Sequence, residues 1–201
     1  MQGELDLSSV VSGTQASGLR VYLLGPLRIE YVTTPIHLPR RKVEALLAYL
    51  LLHREQQPRD HLATLFWGDS ADEQARHSLR TALATLRKAI APELLLTDRD
   101  HVQLNPDFAC WVDLAELLGD EKALDSVTNN ALLAKLALWQ GELLADLYED
   151  WIDAEREHYR TRLLTLFLQA TQILRARSEY AQAIAVAQRI LVTDPAKEPA
   201  H

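Results

Sequence analysis

Cys110 is the sole cysteine, so no disulfide can close within this sequence and a reducing compartment is expected. A metal site would have to be assembled from histidines and carboxylates. No run of about 18 apolar residues is present, which excludes a spanning helix. The amino terminus lacks the basic-then-apolar pattern of a secretion signal. These absences point to a soluble cytoplasmic protein with no membrane contact. Catalytic signatures are missing too: there is no glycine-rich phosphate loop and no Gly-x-Ser-x-Gly. Glu155-x-x-His158 and Glu198-x-x-His201 have the spacing of carboxylate-bridged di-metal bundles, but the second contains Pro199 and the further glutamates such a site needs are not evident. Glu155, Glu157 and His158 read instead as a solvated helix face. No enzyme activity, cofactor or metal is expected.

Positive charge is also in deficit overall, at a net −7, yet it is unevenly placed. Residues 20–105 hold twelve Lys and Arg against ten Asp and Glu, whereas residues 106–201 hold nine against sixteen. The first half can carry a basic face, and the second suits a basic or mixed partner.

What is present centres on residues 67–88. Gly68 reads as a break, and Ser70 with Glu73 three places on as a capping box opening a new helix. Leu79, Leu83, Leu86 and Ile90, with Ala75 and Ala82, form one apolar stripe. The opposite side carries His77, Arg80, Thr81, Ala84 and Lys88, flanked by Arg76, Ser78, Thr85 and Arg87. Cations and hydroxyls separated by small residues are what a helix needs in a DNA major groove, although a plain solvated face would use the same residue types.

The flanking chain supplies a frame. Residues 1–18 are polar, without period, and are expected to be disordered. Residues 19–24 and 27–32 read as strands about Gly25-Pro26, with a short third strand at Ile36-His37-Leu38. Pro39 opens a leucine-rich helix to about His53, whose start carries Arg40, Arg41 and Lys42; cations there oppose the helix dipole and so do not serve helix stability, which leaves solubility charge or phosphate clamping beside the recognition helix. Asp60 caps a short helix ending at Gly68. After Pro92, residues 94–97 and 101–104 read as a hairpin with Arg99 at its tip; Arg99 could enter a minor groove, although a plain turn fits too, since Asp98 and Asp100 beside it would repel phosphate. Strands, three helices and a hairpin make a winged helix.

These pieces resemble the Streptomyces antibiotic regulatory protein family. The carriers are Leu-Arg-Val-Tyr-Leu-Leu-Gly-Pro-Leu at 19–27, Pro-Arg-Arg-Lys at 39–42, Leu-Phe-Trp-Gly-Asp at 65–69, Ala75-Arg76-x-x-Leu79-Arg80, Leu86-Arg87-Lys88-Ala89 and Cys110-Trp111-Val112-Asp113. The resemblance spans residues 19–201. It implies a response-regulator-type winged helix followed by a bacterial transcriptional activator domain, binding to direct repeats in promoter DNA, and recruitment of RNA polymerase.

From Ala131 onward the apolar spacing reads as helical throughout, with residues 178–195 similar to the second helix of a tetratricopeptide repeat. A further helix is expected to begin at Asp194-Pro195, so the expectation is either a fragment of a longer protein, with downstream domains of the same protein as candidate partners, or a missing last repeat. Trp67, Trp111, Trp139 and Trp151 are expected in the core.

The fold expected is α+β: a winged helix-turn-helix with N-terminal strands and a C-terminal hairpin wing (19–105), then an all-α tetratricopeptide-like domain (106–201). The function expected is a DNA-binding transcriptional activator. Arg76, His77, Ser78, Arg80, Thr81 and Lys88 would enter the major groove, with Arg80 on a base edge. Arg40, Arg41, Lys42 and Arg87 would hold phosphates, and Arg99 would reach the minor groove. The rival is a helical-repeat scaffold whose winged helix binds protein.

Overall fold

The computed structural model describes residues 18–119 and 121–193. The expected tail and the helix expected at Asp194-Pro195 lie essentially outside these.

The chain opens with β1 (Leu19–Tyr22), β2 (Arg28–Tyr31) and β3 (Thr34–Pro35). Along β1, Leu19 and Val21 face the core while Arg20 and Tyr22 are half-buried, the alternation a one-sided sheet requires. The third strand was expected at Ile36–Leu38 and instead forms at Thr34–Pro35. Val32 (φ 48°) and Thr33 (φ 67°) make a two-residue left-handed turn, which sets Thr34 opposite Tyr31 and Pro35 opposite Glu30. Only the Ile36 N–H carries the ladder on, donating to Ile29 O at 2.8 Å.

The first helix, α1 (Arg41–Leu52), is buried nearly all round from Val43 to Leu51 and forms the central rod of the fold. Next come β4 (Gln57–Pro58), α2 (Arg59–Trp67) and α3 (Asp72–Ala89). Neither expected cap forms. Pro58 precedes α2, leaving Asp60 inside its first turn. After Gly68 the chain turns once more, Ser70 N–H donating to Trp67 O, so Ala71 occupies the cap position of α3 and the Ser70–Glu73 box is out of register. Asp72 and Glu73 still favour that helix end through the dipole.

A 3-10 turn at Pro92–Leu94 leads into β5 (Leu95–Thr97) and β6 (His101–Leu104), an antiparallel pair. β4 adds to the far side of β6, giving a three-stranded sheet in the order β4-β6-β5.

Residues 110–112 form β7 (Cys110–Val112), parallel to β1 with Leu19 opposite Cys110. The first sheet therefore runs β3-β2-β1-β7, and its last strand comes from beyond residue 105. Val112 points inward and Trp111 outward, where Arg20 lies 4.9 Å over its ring and Tyr22 meets its edge. Trp111 is thus not a core residue, because the strand period places it opposite Val112. The other three tryptophans pack in or against the core. Burial raises the Cys110 thiol pKa and so disfavours its reactive thiolate.

The chain continues through α4 (Asp113–Leu118), a 3-10 segment at Glu121–Ser126, α5 (Asn129–Leu136), α6 (Asp150–Ala176) and α7 (Tyr180–Thr193). Helix is not continuous from Ala131: residues 137–149 are irregular, despite Leu138, Trp139, Leu143 and Leu147. Their backbone pairs with the turn after β1 instead. Gly25 N–H donates to Glu142 O at 3.0 Å, Leu144 N–H to Leu23 O at 2.8 Å, and Ala145 N–H to Gly25 O at 3.0 Å. Gly25 has φ +118°, a backbone conformation that favours glycine at this turn. Buried residues from Leu19 to Val186 form one continuous core.

Candidate nucleic-acid interface

α3 separates its two faces as its spacing demands. Ala75, Leu79, Ala82, Leu83, Leu86 and Ile90 are buried, while Arg76, His77, Arg80, Thr81, Ala84 and Lys88 are exposed. Ser78, Thr85 and Arg87 are half-buried at the margins. Among the described residues, the acidic second half leaves this face uncovered.

The cations differ in what holds them. Arg80, Lys88, Arg40 and Arg99 are exposed and have no side-chain partner among the described residues. Arg76 Nε donates to Asp60 Oδ1 at 2.8 Å, and that guanidinium holds the Asp60 carboxyl below the usual range. The bond ties the start of α3 to the start of α2. Thr81 and Thr85 donate their hydroxyl protons back to His77 O and Thr81 O, leaving oxygen lone pairs to accept from outside.

Arg87 is turned towards the hairpin. Its Nη2 donates to Leu95 O at 3.1 Å and Thr97 Oγ1 at 2.6 Å, bracing β5 against α3. Of the cations at the start of α1, Lys42 Nζ donates to Phe66 O near the end of α2, and Arg41 Nη1 reaches Asp146 at 3.1 Å. A groove of about 480 Å³ joins this cluster to α3, lined by Arg40, Arg41, Lys42, Trp67, Ser78 and Thr81 among others. The cluster at the start of α1 and the polar margin of α3 lie side by side across this groove.

At the hairpin tip, Asp98 Oδ1 accepts the N–H groups of Asp100 and His101, both at 2.7 Å, which holds its carboxyl below the usual range. Asp98 shapes the turn that presents Arg99. Glu155, expected on a solvated face, instead meets His53 Nε2 at 3.2 Å across the seam between α1 and α6.

Sequence reasoning reached Asp113 only as part of the Cys110–Asp113 stretch and missed its bonding role. Its carboxylate, 1% exposed, accepts from Leu23 N–H (2.8 Å), Leu24 N–H (3.0 Å) and Leu114 N–H (2.7 Å). It joins the end of β1 to the start of α4. Little that is local announces this role, since two of the three donors lie about ninety positions away. Arg156 was also missed; it donates to the carbonyls of Leu143, Leu144 and Leu147 and fixes the irregular segment to α6.

Residues 110–201 match the bacterial transcriptional activator domain. The chain is 29% identical over 169 residues to regulatory protein AfsR of Streptomyces griseus, covering 78% of this chain and 16% of that protein. It is 28% identical over 157 residues to transcriptional regulatory protein MoaR1 of Mycobacterium tuberculosis, covering 70% of this chain and 50% of the relative. The chain thus spans half or less of the length of these curated relatives. Mycobacterium tuberculosis EmbR, solved in complex with a low-affinity phosphopeptide, shares the fold: TM-score 0.74 at 24% identity, over 90% of this chain and 52% of that one. Over residues 110–201 the chain is thus similar to the bacterial transcriptional activator domain, over most of its length to curated transcriptional regulators, and in fold to EmbR.

Proposed function

We propose that the chain binds promoter DNA sequence-specifically, at direct repeats, through a winged helix formed by residues 19–105. α3 would lie in the major groove, and the β5–β6 hairpin would act as the wing. The observation that carries this reading is the open outer face of α3, where His77, Arg80, Thr81 and Lys88 project beside the small Ala84. Arg80, near the middle of that face and without a side-chain partner among the described residues, is the residue assigned to a base edge. Arg76, braced by Asp60, and Ser78 at the margin stand beside it. Arg40 and Lys42 flank the face as phosphate contacts, with Arg41 beside them engaged by Asp146, and Arg99 would follow the hairpin into the minor groove. Arg87, engaged with Leu95 and Thr97, is reassigned from phosphate contact to support of the wing.

Residues 106–201 would form the second unit and carry the protein contacts, with RNA polymerase the partner the family implies. Its acidity suits a basic or mixed surface. Such a regulator works in the cytoplasm; among the described residues no helix is long and apolar enough to cross a membrane.

Titration of labelled promoter duplexes at several salt concentrations tests the reading. Binding must weaken as salt rises, by about 0.9 log units in the association constant per contacted phosphate per log unit of salt. Absence of salt-dependent binding to any duplex would favour the scaffold reading, in which this face binds protein.

A further inference from the structure

Arg41 stands in the cationic cluster beside α3, yet its guanidinium is engaged from the other half of the chain. Nη1 donates to Asp146 O at 2.9 Å and to Asp146 Oδ2 at 3.1 Å. The same carboxylate accepts Leu27 N–H through Oδ1 at 2.9 Å. Asp146 is held in place independently of Arg41, because the preceding residues pair with the β1 turn through Glu142 O, Leu144 N–H and Ala145 N–H. Arg41 keeps 66% of its side-chain surface exposed and borders the groove shared with Ser78 and Thr81. A guanidinium takes a carboxylate or a phosphate with the same N–H donors. A duplex seated on α3 would therefore bring a phosphate to a donor that Asp146 already occupies.

We propose that Asp146 is an internal competitor for Arg41: a carboxylate of the C-terminal half occupies the guanidinium that a DNA phosphate would otherwise take. The inference rests on the DNA-binding reading above. Under it, anything that shifts residues 142–147 away from the β1 turn adds one phosphate contact to the DNA-binding half. The C-terminal half thus tunes affinity without touching DNA. An exposed pair of this kind is weak, so it attenuates binding and does not block it.

D146N separates the two jobs of this carboxylate. The substitution leaves an oxygen to accept Leu27 N–H and turns an amide towards Arg41, so thermal stability should be unchanged. On a specific duplex, affinity at low salt should rise about two- to fivefold, the scale of an exposed ion pair. The slope of log affinity against log salt should steepen by about 0.9, one added phosphate. R41A should cost little in the wild-type background and should abolish the gain in D146N. Persistence of the gain in the R41A/D146N double variant would mean simple loss of a negative charge, and would overturn the proposal. Unchanged affinity and slope in D146N would overturn it as well. Should D146N fold poorly, R41A alone decides: a full phosphate lost from the wild-type slope means that nothing restrains Arg41. Wild-type chain that binds no duplex would overturn the DNA reading and this inference together, an outcome distinct from the other three.

Discussion

Replacing Asp113 with asparagine should loosen the join between the two halves by an amount the geometry sets. Oδ1 accepts from Leu23 and Leu114, and Oδ2 from Leu24, all in a buried setting. In D113N one oxygen keeps two of these bonds, while an amide N–H₂ faces the Leu24 N–H. A buried donor left without an acceptor costs about 1–3 kcal/mol. The two remaining bonds also lose their charge-assisted part. Against this, burial pushes the Asp113 carboxyl above its usual range despite the three N–H donors, so removing the charge returns some free energy. The orphaned donor dominates, and a net loss of about 1–3 kcal/mol is expected. At this chain length that lowers Tm by roughly 2–12 °C, from about 2–4 °C per kcal/mol. D113A, which removes the acceptor for all three donors, should cost more. Calorimetry on both variants, with limited proteolysis across 105–112, reads the effect. The pH dependence supplies a second check. Because the folded carboxyl titrates above the unfolded one, its contribution to stability is complete below the unfolded value and is lost as pH rises through the folded one. D113N should flatten that slope. Stability within about 0.5 kcal/mol of wild type, the scatter of ordinary surface substitutions, would refute the idea that this carboxylate joins the halves.

Three other outcomes are expected. R80A should cost about 1–3 kcal/mol on a specific duplex and far less on random DNA; equal losses on both, by fluorescence anisotropy, would make Arg80 a phosphate contact. R87A should lower both Tm, by loosening β5 from α3, and DNA affinity, whereas R40A should lower affinity alone. A fall in affinity without a fall in Tm for R87A would return Arg87 to the phosphate contacts. T33G should stabilise the fold by about 1 kcal/mol, because a β-branched residue held at φ 67° is strained; a lower Tm would count against strain at that turn.

The amphipathic division of α3 was legible because its core residues recur at helical spacing and burial follows that spacing closely. The hairpin after Pro92 was legible from its alternation. Helix starts were less so. Ser70-x-x-Glu73 and Asp60 both have capping chemistry, but the turn after Gly68 and the placement of Pro58 moved each helix start away from its expected cap. Residues 137–149 carry leucines at near-helical intervals, yet pairing with Leu23 and Gly25 draws their backbone out of a helix. Periodicity reports which residues want burial, and it is silent on a competing backbone partner that lies more than a hundred residues away.

Local pattern alone thus determined the elements that solve their burial problem within a few turns: the α1 rod, the two-faced α3, the β5–β6 hairpin. Tertiary structure alone decided which polar groups meet. It put β7 beside β1, Asp113 under the turn after β1, and Asp146 on Arg41. It also turned Arg87 from the outer face towards the hairpin. Hydrophobic burial follows from periodicity because it is non-directional. A hydrogen bond depends on a distance and an angle, and those exist only once the chain has closed on itself.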